Sequence, residues 1–359
     1  MKVAVLGSGN GGSAVAYDFA SAGNDVFMFD FEKFPDQIEA ISKQGGIHAS
    51  GDLEGFQEVE YAGHDIQKVV EHADIIFAVG PAYSTKPFGE VCASYLESGQ
   101  IVIVCPSSCG GSVVFKKAAS LDIEDENIVV AETSTLPYAV RINEPGKINV
   151  FLKLRGGLYL STLPSNNTAK VVEMISDVYN AMKPADNILQ TTLQNGNPII
   201  HPAVSLLNVG EIERERALYF YEEGVTPAVG RLIKAVDNER IKIGKKLGFR
   251  VIPDPELGMM QGYMQEANYE EGYAEAEGFK GILAQDQLDY RYFNEDVGYG
   301  LIFFAELGKQ VGVDTPVMDS IIEIVSVLME KDYRNEKKRT METLGLGKYT
   351  TKELKKILS

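Results

Sequence analysis

Along the first half of the chain, apolar residues gather in short strand-length runs at 3–6, 25–29, 75–79, 101–105 and 128–131. Between them, at 10–22, 85–96 and 111–120, the spacing changes to the three-and-four rhythm of amphipathic helices. Strand and helix in alternation predict a parallel α/β sheet. Two further stretches, 147–154 and 157–162, alternate apolar with polar and predict a hairpin through Arg155, Gly156 and Gly157 that extends the sheet at its edge. This first domain is expected to span 1–185.

From Asn197 onward the period is helical, with long segments at 198–220, 227–247, 297–311 and 316–329. The second domain, 186–359, is therefore expected to be almost all α. The charge-rich stretch 331–339 reads as a solvated turn or helix end, and 352–358 as a short terminal helix. Residues 261–281 interleave Tyr263, Tyr269 and Tyr273 with Glu266, Glu270, Glu271, Glu275 and Glu277. A solvated helical face or loop is expected there in preference to a substrate lid.

Composition narrows the class. A chain of 359 residues exceeds one ordinary core and fits two domains. Apolar residues at 45% and charged residues at 24% describe a soluble protein, without an apolar run long enough to span a bilayer. The start MKVAVLGSG passes from one lysine into a strand-like run and glycines, not the pattern of an export signal, so a cytoplasmic location is expected. Cys92, Cys105 and Cys109 are an odd set crowded into one stretch, which suits free thiols in a reducing compartment, and their spacing matches no familiar zinc pattern. A formal charge of -17 argues against a nucleic-acid partner. Any anionic substrate then needs a local basic anchor. Small molecules are the expected partners, and a homodimer stays open.

The motif GSGNGG follows the first strand and opens an apolar helix. In that context Gly7, Gly9 and Gly12, with Asn10 and Gly11 between them, form the tight turn that brings backbone N–H groups and a helix N-terminus to a pyrophosphate. Asp30 ends the second strand, eighteen residues after Gly12, where a carboxylate would bond the adenosine ribose hydroxyls and repel a 2'-phosphate. The expected cofactor is NAD, with NADH preferred over NADPH. Gly80 sits at another strand end on the expected cofactor side.

In the second domain, NGNPIIHP places His201 within one turn of a helix start. Imidazole is the usual device for moving a proton beside a nicotinamide. The stretch LDYRYFNEDVGYGL brings Arg291, Glu295 and Asp296 together just before an apolar helix. Asp296 is either a helix cap or a carboxylate that orients the imidazole.

Taken together, GSGNGG, TSTLPYAVR at 133–141, NPIIHP at 197–202, RYFNEDVGYGL, and DTP at 314–316 resemble the opine dehydrogenase family over essentially the whole chain. The likeness is greatest to the bacterial N-(1-D-carboxyethyl)-L-norvaline dehydrogenase type. It implies a Rossmann domain followed by a helical domain, in a 6-phosphogluconate dehydrogenase-like arrangement with the active site in the cleft. The implied reaction condenses an L-amino acid with a 2-oxo acid such as pyruvate and reduces the product with NAD(P)H. Carried over by position, His201 resembles the catalytic histidine and Asp296 its partner aspartate. Arg291 resembles an arginine near the substrate carboxylates, and Thr135 and Asn197 fall where substrate-contacting residues lie. Gly298 departs from the octopine branch, which has proline there. A hydroxyacid or ketopantoate type of reductase, or a non-catalytic dinucleotide sensor, are the alternatives on this architecture.

Overall fold

In chain order the strands of the computed structural model are β1 (Lys2–Leu6), β2 (Asp25–Phe29), β3 (Gly46–Gly51), β4 (Gly55–Glu58), β5 (Tyr61–Gly63), β6 (Ile75–Val79), β7 (Ile101–Cys105), β8 (Val129–Thr133), β9 (Tyr138–Glu144), β10 (Lys147–Lys153), β11 (Leu158–Leu163) and β12 (Met182–Pro184). The structure describes residues 1–358 and divides into two units, one of 1–191 with the chain end from Ile357, the other of 192–356.

The main sheet of the first unit has the order β12-β11-β8-β7-β6-β1-β2-β5. Every pair is parallel except β8 with β11. Its central strands are buried on both faces, which explains why they are uniformly apolar. Alternate residues Ala4, Leu6, Ile76, Ala78, Val102 and Val104 form one packed layer with Phe88 and Phe115 of the helices Thr85–Cys92 and Gly111–Ala118. On the other face Phe19 packs on Phe77 and Tyr179, with ring centroids 4.9 and 5.5 Å away. The chain leaves β1 toward β2 on one side and continues with β6 on the other. The strand order therefore reverses at β1 and β6, the place where open α/β sheets take ligands.

The expected hairpin of 147–154 with 157–162 does not form. β10 pairs instead with β9 and β3 in a separate sheet of order β4-β3-β10-β9, while β11 joins the main sheet beside β8. The tight turn lies one strand earlier, at Pro145 and Gly146, where Gly146 takes a φ of +81°. Proline sets the φ of the first turn position and glycine supplies the left-handed second one, so β9 and β10 are the pair that closes locally. A buried polar tie joins this sheet to the helix Asn10–Ser21: the Tyr138 hydroxyl donates to Asp18 Oδ2 at 2.6 Å, and Lys153 Nζ lies 2.6 Å from the same oxygen.

The second unit is helical, with its principal helices at Asn197–Leu207, Pro227–Leu247, Asp254–Gln261, Ile302–Val311 and Pro316–Leu328. The long helix expected over 198–220 stops at Leu207. The side-chain amide of Asn208 donates there to the carbonyls of Val204 and Gly224, turning the chain, and 213–216 is a Glu-Arg-Glu-Arg run with nothing to bury. Residues 261–281 also differ from expectation. Tyr273 and Phe279 are buried, and the hydroxyls of Tyr269 and Tyr273 donate to buried Asp237 and Asp254, each at 2.5 Å. The tyrosines turn inward, while Glu266, Glu271, Glu275 and Glu277 are exposed, as expected of a solvated loop. Among the described residues, no helix is long and apolar enough to cross a membrane, and the three cysteines form no disulfide. Burial pushes the Cys92 and Cys105 thiols up to about 12.

Candidate active site

Two constellations stand out, one in each unit. In the first, the glycine turn follows β1 at the reversal of strand order. Gly7 has a φ of +101°, and a Cβ there would run into the carbonyl of Val79 at the end of β6. A Cβ on Gly12 would run into the carbonyl of Gly7. These two glycines are needed by the chain's own packing. Gly9 is different: a Cβ there would meet nothing of the protein within 4 Å, so the turn leaves an open face at the start of a 12-residue helix. An open glycine face with helix N–H groups behind it fits a dinucleotide pyrophosphate.

Asp30 lies just beyond β2, buried, with Oδ2 accepting from the backbone N–H and the hydroxyl of Ser8, each at 2.7 Å. The acidic residue and the glycine turn are thus joined. The side chain of Asn10 is engaged elsewhere, accepting from the backbone N–H of Ile142 at 2.7 Å. Gly11 makes room for Leu136, and Gly80 for Ser84, so both have packing roles of their own. Thr135 is half-buried in the loop after β8, and its carbonyl accepts from the Thr133 hydroxyl at 3.0 Å.

In the second unit, His201 lies on the helix Asn197–Leu207 with 7% of its surface exposed. Its Nδ1 is 2.8 Å from Oδ2 of Asp296, ninety-five residues further along the chain and also buried. Local geometry brings them together. Asp296 opens a wide π-helical turn, Asp296–Leu301, whose Gly300 packs against Pro198 at the start of the histidine helix. A Cβ on Gly300 would lie 2.5 Å from Pro198 Cγ, so only glycine permits this approach. Wide turns of this kind recur at functional sites.

The histidine helix is fixed from its base. The guanidinium of Arg240, fully buried, donates through Nε to Asp237 at 2.6 Å, and through its two terminal nitrogens to the carbonyls of Leu193 at 2.5 Å and Ile252 at 2.7 Å. Asp254 packs against Gly196, and burial, with Asp237 nearby, pushes its carboxyl up to about 6 against the opposing pull of Arg240. Asn197, the first residue of the helix, is half-buried, and its N–H donates to the side chain of Asn195 at 3.0 Å.

Around the imidazole the walls are aromatic. Tyr292 stacks on it with centroids 4.0 Å apart, Phe220 stands edge-on at 5.7 Å, and the hydroxyl of Tyr221 lies 3.3 Å from Nε2. Arg291, one turn before Glu295, pairs with it through Nε at 3.2 Å. Burial pulls against the guanidinium charge, but Glu295 and then Asp296 outweigh it and raise the pKa further. The ion pair expected for an ordinary surface arginine does form, yet Glu295 is buried while Arg291 keeps 44% of its side chain exposed. Sequence reading passed over Tyr221 and Tyr292, because nothing in the run ALYFYEE or in DYRYF distinguishes an aromatic packed on an imidazole from one in a core. The pair of acidic and histidine residues can hold one tautomer and exchange one proton. The glycine turn can hold a dinucleotide.

A parallel sheet with this turn at its reversal point, followed by a helical unit with a buried imidazole–carboxylate pair, defines the class of dinucleotide-dependent dehydrogenases. Residues 2–109 match the family described as the NAD-dependent glycerol-3-phosphate dehydrogenase N-terminus, and residues 184–329 match that of the NAD/NADP octopine/nopaline dehydrogenase α-helical domain. The chain is 34% identical to an opine dehydrogenase of Arthrobacter sp. (strain 1C), over 97% of this chain and 96% of that protein. It is 25% identical to the protein ocs of Agrobacterium tumefaciens (strain Ach5), over 92% of each. A solved octopine dehydrogenase structure with NADH and L-arginine superposes with a TM-score of 0.80 at 19% identity, covering 99% of this chain and 97% of that one. The chain belongs to the opine dehydrogenase family, and it is an NAD-dependent oxidoreductase.

Proposed function

We propose that the protein catalyses the NADH-dependent reductive condensation of an L-amino acid with a 2-oxo acid such as pyruvate, or the reverse, with His201 as the proton-transfer residue and Asp296 as its orienting partner. The observation that carries this reading is the 2.8 Å contact between two buried groups far apart in sequence, in a chain of this family. A carboxylate accepts only, so Nδ1 carries the hydrogen and Nε2 is left to work on substrate.

Condensation makes a C–N bond between the amine nitrogen and the carbonyl carbon, and the carbonyl oxygen departs as water. His201 takes the proton that the ammonium must lose and returns one to the departing oxygen, while Asp296 stabilises the charged imidazole between the two events. Bound NADH supplies the hydride that reduces the resulting C=N carbon. Arg291 holds a substrate carboxylate through the guanidinium edge that Glu295 does not occupy, and Thr135 and Asn197 add polar contacts to the substrate.

Gly7, Gly9, Asn10, Gly11 and Gly12 hold the pyrophosphate, Gly80 lines the adjoining strand end, and Asp30 takes the adenosine ribose. The anionic carboxylate of Asp30 favours NADH over NADPH. A cytoplasmic location is consistent with three cysteines that form no disulfide.

The test is a screen of NADH oxidation with twenty L-amino acids against pyruvate, glyoxylate and 2-oxobutyrate, run beside His201→Ala. Turnover that requires both carbon substrates and falls in the variant supports the reading. NADH oxidation with pyruvate alone would instead favour a hydroxyacid-type reductase, and binding without turnover a dinucleotide sensor.

A further inference from the structure

With Nδ1 of His201 engaged by Asp296, the other ring nitrogen also has a partner. Nε2 stands 3.3 Å from the hydroxyl of Tyr221, a residue that no motif in the sequence marks. The two contacts agree on a single tautomer. Asp296 accepts, so Nδ1 is the donor; Nε2 is then an acceptor, and the phenol must donate to it. Burial, with the Tyr292 and Tyr263 phenols and the carboxylates of Asp254 and Asp296, pushes the Tyr221 hydroxyl well above its usual range, so it stays a donor.

The ring that carries this hydroxyl is held on two sides. Phe279 stacks on it with centroids 4.1 Å apart and planes 13° apart, and Phe220 stands edge-on at 5.0 Å. Behind Phe279, Tyr263 continues the stack at 4.7 Å. The inward-facing part of 261–281 therefore serves as the wedge that aims Tyr221. Contact lengths give the order of strength. The bond to Asp296 at 2.8 Å is short, whereas that from Tyr221 at 3.3 Å is near the limit of a useful one and is the bond that yields.

We propose that Tyr221 is a positioning residue, which holds Nε2 of His201 as an unprotonated acceptor in the free enzyme and gives up that place when substrate arrives. The proposal rests on the reading of His201 as the proton-transfer residue. Its chemistry is an exchange of hydrogen-bond partners at one nitrogen, with no covalent step. The groups that face the imidazole are Asp296 on one nitrogen, Tyr221 on the other, and Tyr292 and Phe220 on the ring. The nearest charged neighbours along the same segment, Arg291 and Glu295, are paired with each other. Asp296 thus keeps the ring charged when it must be, and Tyr221 keeps the working nitrogen bare and aimed beforehand.

The experiment uses full-length protein with ring-15N-labelled histidine. Of four histidines, the one absent in His201→Ala is assigned by difference. The free wild-type enzyme is expected to show a protonated Nδ1 and a hydrogen-bonded acceptor Nε2. In Tyr221→Phe the Nε2 signal should move toward that of an acceptor without a partner. Without the phenol the imidazole is no longer held in one aimed state, and if only about a tenth to a fifth of the free enzyme then stays competent, kcat/KM for the 2-oxo acid falls about five- to tenfold, with kcat at saturation changed less, because substrate has by then taken over the nitrogen. A wild-type spectrum with the proton on Nε2 overturns the proposal without any variant, so a Tyr221→Phe protein that fails to fold does not protect it. An unchanged Nε2 signal with unchanged kcat/KM in Tyr221→Phe overturns it as well. Full turnover in His201→Ala sinks the underlying assignment of His201, a result distinct from either outcome for Tyr221.

Discussion

Replacing Gly300 by alanine tests how the His201–Asp296 pair is assembled without touching either member. The added methyl would stand 2.5 Å from Cγ and 2.7 Å from Cβ of Pro198, against the roughly 3.5–4.0 Å at which carbon atoms rest. Relief needs a displacement of about 1 Å. Neither side gives cheaply, since Pro198 is a ring fixed in the first turn of the histidine helix and Gly300 lies in the turn opened by Asp296. A shift of that size stretches the Nδ1 to Oδ2 contact from 2.8 Å beyond hydrogen-bonding distance. Overpacking costs roughly 1–3 kcal/mol of stability, and misplacement by about 1 Å costs on the order of a hundredfold in turnover. The assay is steady-state NADH oxidation together with thermal unfolding. Gly210→Ala is the control, because its Cβ would meet only Arg214 Nη1, at 3.8 Å, and turnover should hold. If Gly300→Ala kept wild-type turnover and melting temperature, the close approach would not be what seats Asp296 on His201.

Asp30→Asn keeps an acceptor for Ser8 but removes the charge, so the ratio of kcat/KM for NADH over NADPH should fall; a wild-type enzyme that prefers NADPH would remove the role assigned to Asp30. Arg291→Lys retains charge but not the planar fork, and should raise KM for the 2-oxo acid or the amino acid while NADH affinity hardly moves; unchanged KM for both carbon substrates in Lys and Ala variants would return the residue to a plain ion pair with Glu295. Asp254 is raised in the folded protein from 3.8 to about 6, chiefly by burial, so the folded state holds an extra proton between those values. Its contribution therefore favours folding at low pH and is lost as pH rises through about 6. The melting temperature of Asp254→Asn relative to wild type should climb across that window, and parallel curves would refute the linkage.

The sheet was legible where burial is two-sided. Runs such as IIFAV at 75–79 and IVIVC at 101–105 cannot be solvated on either face, and both fold as expected at those bounds. The smaller sheet was not legible, because GIHASG and GFQE of β3 and β4 carry no apolar alternation and owe their form to β10, about a hundred residues away. For β10 the missed signal was present: Pro145-Gly146 is a stronger local turn than Arg155-Gly156-Gly157. The inward tyrosines of 261–281 were hidden for a related reason, since their partners Asp237 and Asp254 come from other helices. At the site, the glycine turn and Asp30 could be read from order and spacing alone. The pairing of His201 with Asp296 could not: it came from family likeness, and the π-helical turn and Gly300 that make it possible have no periodic signature.

The central claim is that hydride reaches a carbon newly bonded to nitrogen. NADH deuterated on its transferable position, supplied with an L-amino acid and pyruvate, tests it through the mass and deuterium position of the product. The account predicts one secondary amine with two carboxylates, bearing deuterium on the former carbonyl carbon, formed in equal amount to the NADH consumed and absent without the amino acid. Deuterated 2-hydroxy acid as the product, formed equally well without any amine, would contradict it.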